Sequence, residues 1–308
     1  MNKEPKVKKN PPPVQGSWMV LFAAALWGTT GTSQAFTPEA STPGTIAALR
    51  MLIAGTVMLF WATNHDFRLS NWPWGKTLLA GASIAIYQFA SFSAMSATGV
   101  AVGAIVAMGT APVFAGVLEF FVKKKTPLHF WYLSTFLALL GCCFLLFPTE
   151  NSIQINKFGI FLALVAGFFY ASYTLLISLF VDDHPPQTVT AIVTCTGGLF
   201  LVPLLFKANL EWLAEINGWL VMLYLGIIAT ALSYWLFATG LKTVQTSTAV
   251  TLTLAEPLVA VLLGFSVVGE RMGMMEFCGV FLIFIALFLI MVPVQRCKKF
   301  FNFSQTKR

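Results

Sequence analysis

The sequence predicts an all-α polytopic membrane protein, with ten transmembrane helices forming two inverted five-helix repeats around a central cavity. Three observations predict it. Of the 308 residues, 57% are hydrophobic and only 10% are charged, whereas a soluble domain carries about 25% charged residues. Ten apolar runs fill most of the length, each near the roughly 20 residues that a bilayer crossing requires. The helix breakers Pro112 and Pro257 recur in the fourth and ninth runs, five runs apart.

The runs are Ser17–Phe36, Gly44–Ala62, Gly75–Ser96, Gly99–Val122, Pro127–Phe147, Phe158–Phe180, Gln187–Phe206, Asn217–Gly240, Val244–Val268 and Met274–Pro293. They are too long and continuous for the alternating strands of an outer-membrane barrel. The connections are too short for a separate soluble domain. Residues 1–16 (MNKEPKVKKNPPPVQG) are basic and proline-rich and read as a disordered tail; residues 295–308 read as a second one. The first run, with Ser33-Gln34-Ala35 near its end, also loosely resembles a signal peptide. Its removal would break the duplication that follows.

TAPVFAGVLEFFVKKK in the fourth run parallels AEPLVAVLLGFSVVGER in the ninth. Aligning Pro112 with Pro257 sets Lys125 opposite Glu270, and Leu26-Trp27-Gly28 falls near Phe169-Tyr170-Ala171. The halves are 17–147 and 158–294. Five is odd, so the second half enters the membrane upside down. The cytoplasmic Lys123-Lys124-Lys125 then corresponds to Gly269-Glu270-Arg271 on the other side, with the net positive charge lost. Inverted repeats place a substrate site near the bilayer midplane, between the halves.

With the N-terminus in the cytoplasm, 15 of the 19 Lys and Arg residues fall on the cytoplasmic side and 3 on the other, with Arg50 inside a helix. This positive-inside bias predicts that both termini are cytoplasmic. The short loops suggest a bacterial cell membrane. The same bias accounts for the net charge of +7 without a nucleic-acid partner. Cys142, Cys143, Cys195 and Cys278 lie within runs and Cys297 just beyond the last, with no disulfide framework or ligand spacing. His65, His129 and His184 are scattered in loops and boundaries. No HExxH, GxSxG or P-loop motif occurs, so neither an enzyme nor a metal or cofactor is expected.

Pro257 removes a backbone donor and frees the carbonyl of Thr253; Pro112 does the same to Met108. In hydrocarbon such carbonyls need another partner. Each proline lies about 13 residues into its helix, about 20 Å deep at 1.5 Å per residue. Equivalent breaks in two halves point to a transporter's site and gate; a kink that only shapes packing is the plainer alternative. Glu256, beside Pro257, is an acid that costs roughly 2.5–3.5 kcal/mol at the bilayer centre. Three roles compete for it: binding a substrate ammonium, carrying a coupled proton, or pairing with Arg50. Arg50 itself could snorkel to the interface or bind a substrate carboxylate. Glu119 is one turn before Lys123, so an interfacial i,i+4 pair is expected, and Glu276 is expected at the interface. Trp18, Trp72, Trp74, Trp131 and Trp219, near run ends, read as interface anchors. Gly99, Gly103 and the small stripe Ala107, Ala111 and Ala115 read as close helix packing.

Leu26-Trp27-Gly28-Thr29-Thr30-Gly31, Arg50, Pro112, Glu256-Pro257 followed by Gly269-Glu270-Arg271, and Gly279 together carry a resemblance. Over residues 17–294 the chain resembles the EamA-type carriers of the drug/metabolite transporter superfamily. It departs from their pattern at Lys123-Lys124-Lys125, where the family often keeps a Gly-Glu pair. The resemblance implies a cavity lined mainly by helices 1, 3, 4, 6, 8 and 9, with helices 5 and 10 peripheral. It also implies export or exchange of small organic solutes, often amino acids.

On those helices the substrate-binding candidates are Trp27, Thr30 and Gln34, which share one face at i, i+3 and i+7, then Tyr87, Gln88 and Phe92, Tyr170 and Tyr173, Tyr234 and Trp235, and Thr253 and Glu256. Thr29, Thr32, Ser172 and Thr251 are further polar residues there. The expected function is secondary transport of amino acids or related amphipathic metabolites by alternating access. A lipid or lipid-linked-sugar flippase, or a channel-like facilitator, is the alternative on the same fold. The partners expected are a small-molecule substrate and the bilayer, and nothing calls for an oligomer.

Overall fold

The computed structural model describes residues 13–34, 36–38, 41–64, 67, 69, 72–127, 129–146, 156–206, 208–268 and 273–291. Among these lie ten helices of membrane-crossing length: α1 (Pro13–Gln34), α2 (Pro43–Thr63), α3 (Trp74–Thr98), α4 (Val100–Lys123), α5 (His129–Leu146), α6 (Lys157–Asp183), α7 (Pro186–Leu205), α8 (Ile216–Gly240), α9 (Thr246–Val267) and α10 (Met274–Met291). Residues 1–12 and 292–308, Gly269-Glu270-Arg271, His65 and Cys297 lie outside the described residues. The first helix starts at Pro13 rather than Ser17, so the last residues assigned to the N-terminal tail form its first turn.

Nine of the ten are apolar enough throughout to qualify as membrane spans by composition. The exception is α1, whose second half carries Trp27, Thr29, Thr30, Thr32, Ser33 and Gln34. Its first half is anchored in the core through Val20, Ala23 and Ala24, all fully buried. Local signals explain several ends. Thr42 caps α2 by accepting from Thr45 N at 3.3 Å, and Asn156 caps α6 by accepting from Phe158 N at 2.9 Å. Gly99 turns α3 into α4 at φ +84°, a left-handed conformation that favours glycine. A Cβ on Gly103 would come within 2.9 Å of the Met95 backbone, so the Gly99/Gly103 pair closes the α3–α4 hairpin.

The packing survives exchange of the two halves. α1 packs on α8 and α9, and α6, its counterpart, packs on α3 and α4. α2 lies against α7, α5 against α10, and α4 touches the start of α9, each pair being its own image. In the α5–α10 pair, Gly141 and Gly279 meet backbone to backbone: a Cβ on either would approach the other's carbonyl oxygen to 2.9 or 2.7 Å. α10 turns Phe277, Phe281, Phe284 and Phe288 outward, each more than half exposed. That is a lipid-facing surface, in keeping with a peripheral helix.

The two prolines act differently. Pro112 is accommodated within an uninterrupted α4. At Pro257 the helix is interrupted between Leu252 and Ala255. There the carbonyl of Thr253, freed by the proline ring, accepts instead from Glu256 N at 2.9 Å, and Leu254 N reaches Thr251 O at 3.1 Å. In place of the expected pair of breaks there is one continuous helix and one broken helix. α8 carries a different irregularity, a π-helical stretch over Tyr224–Leu232, of the kind often found at functional sites.

Two expected interface anchors are core residues instead. Trp72 is 5% exposed; it stacks on Phe180 at 5.6 Å and donates from Nε1 to Thr77 Oγ1 at 2.8 Å. Trp131 is 7% exposed and covers Gly116. Position near a run's end does not reveal which face of the helix a ring occupies. Trp18, Trp74 and Trp219 are half exposed, as anchors should be.

Candidate substrate site

Six helices converge on one cavity of about 130 Å³. Trp27, Thr30 and Gln34 come from α1, Arg50 from α2, and Tyr87, Gln88, Ser91, Phe92 and Met95 from α3. Tyr170 and Tyr173 come from α6, Tyr234 from α8 and Glu256 from α9. Gln34 ends α1 and Met95 lies near the end of α3, so the cavity runs toward the end of the bundle where those two helices finish. Glu256 lines it from the first turn after the interruption in α9. The break positions the carboxylate, because Glu256 lies in the first turn of the second helical segment rather than within a continuous helix.

The aromatic walls are ordered by edge-on and tilted ring contacts. Trp27 meets Tyr234 at 5.6 Å, nearly perpendicular, and leans on Phe237 at 5.2 Å. Tyr87 and Tyr170 approach to 5.0 Å, and Tyr173 and Tyr234 to 6.1 Å. Trp27 Nε1, Thr30 Oγ1, Arg50 Nε and Gln88 Nε2 are all buried without a hydrogen-bond partner. Buried polar atoms are normally paired, and these four line the same cavity. Arg50 lies close enough to act electrostatically on Glu256, but no ion pair joins the two among the described residues. The structural pairing weighed for them is thus absent among the described residues, and both residues line the cavity.

The duplication is broken at the carboxylate. Ala111, immediately before Pro112, is the repeat counterpart of Glu256. It packs with Ala115, Ala171 and Val250 in a small apolar cluster. Ala171 was aligned with Gly28, and Gly28 lies against Glu256 as Ala171 lies near Ala111.

Several candidates belong elsewhere. Trp235 is a correction: its ring packs edge-on against Trp61 at 5.1 Å, in a satellite cluster with Ala54, Met58 and Ala62. It follows Tyr234 directly, and adjacent residues on a helix point about 100° apart. Thr253 lines only a small space behind the cavity, with Tyr170 and Glu256, and its hydroxyl donates to Val250 O at 2.7 Å. Thr29 bonds to Leu26 O and to the Tyr224 hydroxyl, Ser172 to Phe168 O, and Thr251 to Thr135. Ser91 and Met95 line the cavity and were not singled out; at i+3 and i+7 from Gln88 they share the face of Gln88 and Phe92.

Glu119 is the larger correction. It is 1% exposed and does not use its carboxylate as an interfacial partner of Lys123. Oε1 accepts from Thr246 N at 2.9 Å, and Oε2 accepts from Ser247 N at 2.9 Å and Ser247 Oγ at 2.6 Å. Nothing in local spacing signals a contact spanning 127 residues. Among the described residues, no group of three or more His, Cys, Asp or Glu side chains could hold a metal.

Comparison with known proteins agrees with this architecture. A model of the EamA-like transporter family matches residues 14–147 and 157–292, one match per half. The uncharacterized transporter YwfM of Bacillus subtilis (strain 168) is 41% identical over 284 residues, covering 92% of this chain and 95% of that protein. The uncharacterized inner membrane transporter YicL of Salmonella typhimurium is 25% identical, covering 92% and 97%. A solved crystal structure superposes with a TM-score of 0.80 at 18% identity, covering 92% of this chain and 98% of its own; that likeness concerns the fold.

Proposed function

The chain belongs to the EamA-like transporter family, and from that premise we propose that it carries a small zwitterionic metabolite, an amino acid or a close relative, by alternating access. The observation that carries this reading is the presence of Arg50 and Glu256 in one cavity without a bond between them. Arg50 suits a substrate carboxylate, and Glu256 suits an ammonium group. Trp27, Tyr87, Tyr170 and Tyr234 supply faces for a cation or an apolar portion. Drug-sized ligands occupy pockets of about 300–1,000 Å³; at about 130 Å³ the cavity favours something smaller. We further infer cytoplasmic termini from the 15-to-3 split of basic residues, and a bacterial cell membrane from the short loops, a reading supported by the similarity to YicL, named an inner membrane transporter. Export is the direction that the family resemblance suggests.

A flippase is the second reading. It is favoured by an apolar groove of about 430 Å³ lined by Ala47, Phe89, Leu201 and Leu204, which shares Gln88 and Phe92 with the cavity. The test is counterflow of a labelled amino-acid panel in proteoliposomes, with and without a proton gradient, alongside a fluorescent-lipid scrambling assay. Saturable amino-acid counterflow that falls on the order of tenfold or more in Glu256→Gln and Arg50→Gln, with both variants folded, supports the carrier. Lipid movement without solute counterflow overturns it in favour of the flippase.

A further inference from the structure

Helix α9 starts at the end of the bundle opposite the cavity mouth, where α4 finishes. Its first turns, Thr246–Leu252, form a seven-residue segment. That segment is bounded by the Leu241–Gln245 connection and by the interruption at Thr253 and Leu254. No side chain of its own caps it: Gln245 occupies the capping position, and its Oε1 has no partner. The exposed N–H groups of a helix start are ordinarily satisfied by a neighbouring Ser, Thr, Asp or Asn. Here they are satisfied by Glu119, which reaches across from the other half of the fold. Ser178 on α6 adds a hydroxyl contact to Thr246 at 3.0 Å, and Thr135 on α5 adds one to Thr251 at 3.0 Å.

A local cap would hold wherever the helix moved. A remote cap holds only while α4 and α9 stay together. We propose that Glu119 is the latch of the closed face: when its carboxylate leaves Thr246 and Ser247, the Thr246–Leu252 segment swings on the Thr253–Leu254 interruption. This opens a route from Glu256 to the end of the bundle where α4 finishes. Three hydrogen bonds to one buried carboxylate bias the resting protein toward the state with the cavity at the opposite mouth. Glu119 is therefore a positioning residue, since it does not line the cavity. The inference rests on the alternating-access reading, but its test needs no substrate, so a wrong choice of solute leaves the result interpretable.

The test uses the full chain with its cysteines replaced and a single cysteine at Val250, a residue 1% exposed between the latch and Glu256. A membrane-impermeant thiol reagent is applied to sealed vesicles from the face where α4 ends. Glu119→Gln places an amide donor against N–H donors, and Ser247→Ala removes only the hydroxyl contact. The expected result is labelling about tenfold faster in Glu119→Gln, and a smaller rise in Ser247→Ala, at unchanged thermal midpoint. Parental labelling rates in either folded variant overturn the proposal. So does faster labelling that merely tracks a lowered thermal midpoint, because that is the signature of a structural cap. If Glu119→Gln does not fold, Ser247→Ala decides.

Discussion

Gly28 on α1 lies directly against the backbone of Glu256 on α9: a Cβ at position 28 would sit 2.6 Å from the Glu256 carbonyl oxygen and 2.7 Å from Val259 Cβ. Inserting even a methyl group there must push α1 away from the interruption that positions the carboxylate. Overpacking of this kind costs about 1–3 kcal/mol. Gly28→Ala is expected to lower the thermal midpoint and to reduce transport further than that loss explains. Gly31→Ala, three residues on, is the control, since a Cβ there meets nothing within 4 Å. Thermal unfolding and flux measured on both variants check this; equal behaviour of the two would refute it.

The two prolines should separate experimentally. Pro257→Ala restores a donor for the Thr253 carbonyl and allows α9 to run straight, rotating Glu256 away from its place in the cavity. Transport is expected to drop on the order of tenfold or more, because small misplacements of binding groups are costly, while thermal stability holds or rises. Pro112→Ala, in a helix that is already continuous, is expected to keep most of the flux. Comparable losses in both would mean that the break in α9 has no special part in the site.

Tyr234 and Trp235 offer a test of adjacent residues. Tyr234→Phe removes one hydroxyl from the cavity wall and is expected to raise the half-saturation concentration of an accepted substrate. Trp235→Phe disturbs only the edge contact with Trp61 and is expected to cost stability, typically within about 0.5–3 kcal/mol, at unchanged half-saturation. Concentration-dependent counterflow and thermal melts on the same preparations distinguish these outcomes. A shift in half-saturation for Trp235→Phe would return that ring to the site.

The helices and the cavity were legible in the sequence for different reasons. Long apolar runs are a direct imprint of the solvent, so helix count and approximate ends follow from composition. The cavity face of α1 was readable because Trp27, Thr30 and Gln34 repeat at helical spacing on an otherwise apolar segment. Glu256 stood out because a carboxylate beside a proline in hydrocarbon needs a reason. Trp72, Trp131 and Trp235 were misplaced because an aromatic residue satisfies the core, the cavity and the interface equally well, and only tertiary packing decides. Glu119 was misjudged for a related cause. Lys123 supplied a plausible partner four residues away, and the true partners lie on a helix more than a hundred residues later.

The exchange of first helices between the two halves bears on biosynthesis. α1 finds its packing partners in α8 and α9, whose residues leave the ribosome some two hundred positions later. At synthesis rates of about 5–20 residues per second, that is a wait of about 10–40 s. During that time a helix bearing Trp27, Thr29, Thr30 and Gln34 has no finished pocket to turn them toward. Neither half of the polypeptide is a self-sufficient folding unit, and the nascent chain must shelter its most polar span in the insertion machinery, or against an interim neighbour, until the last third arrives.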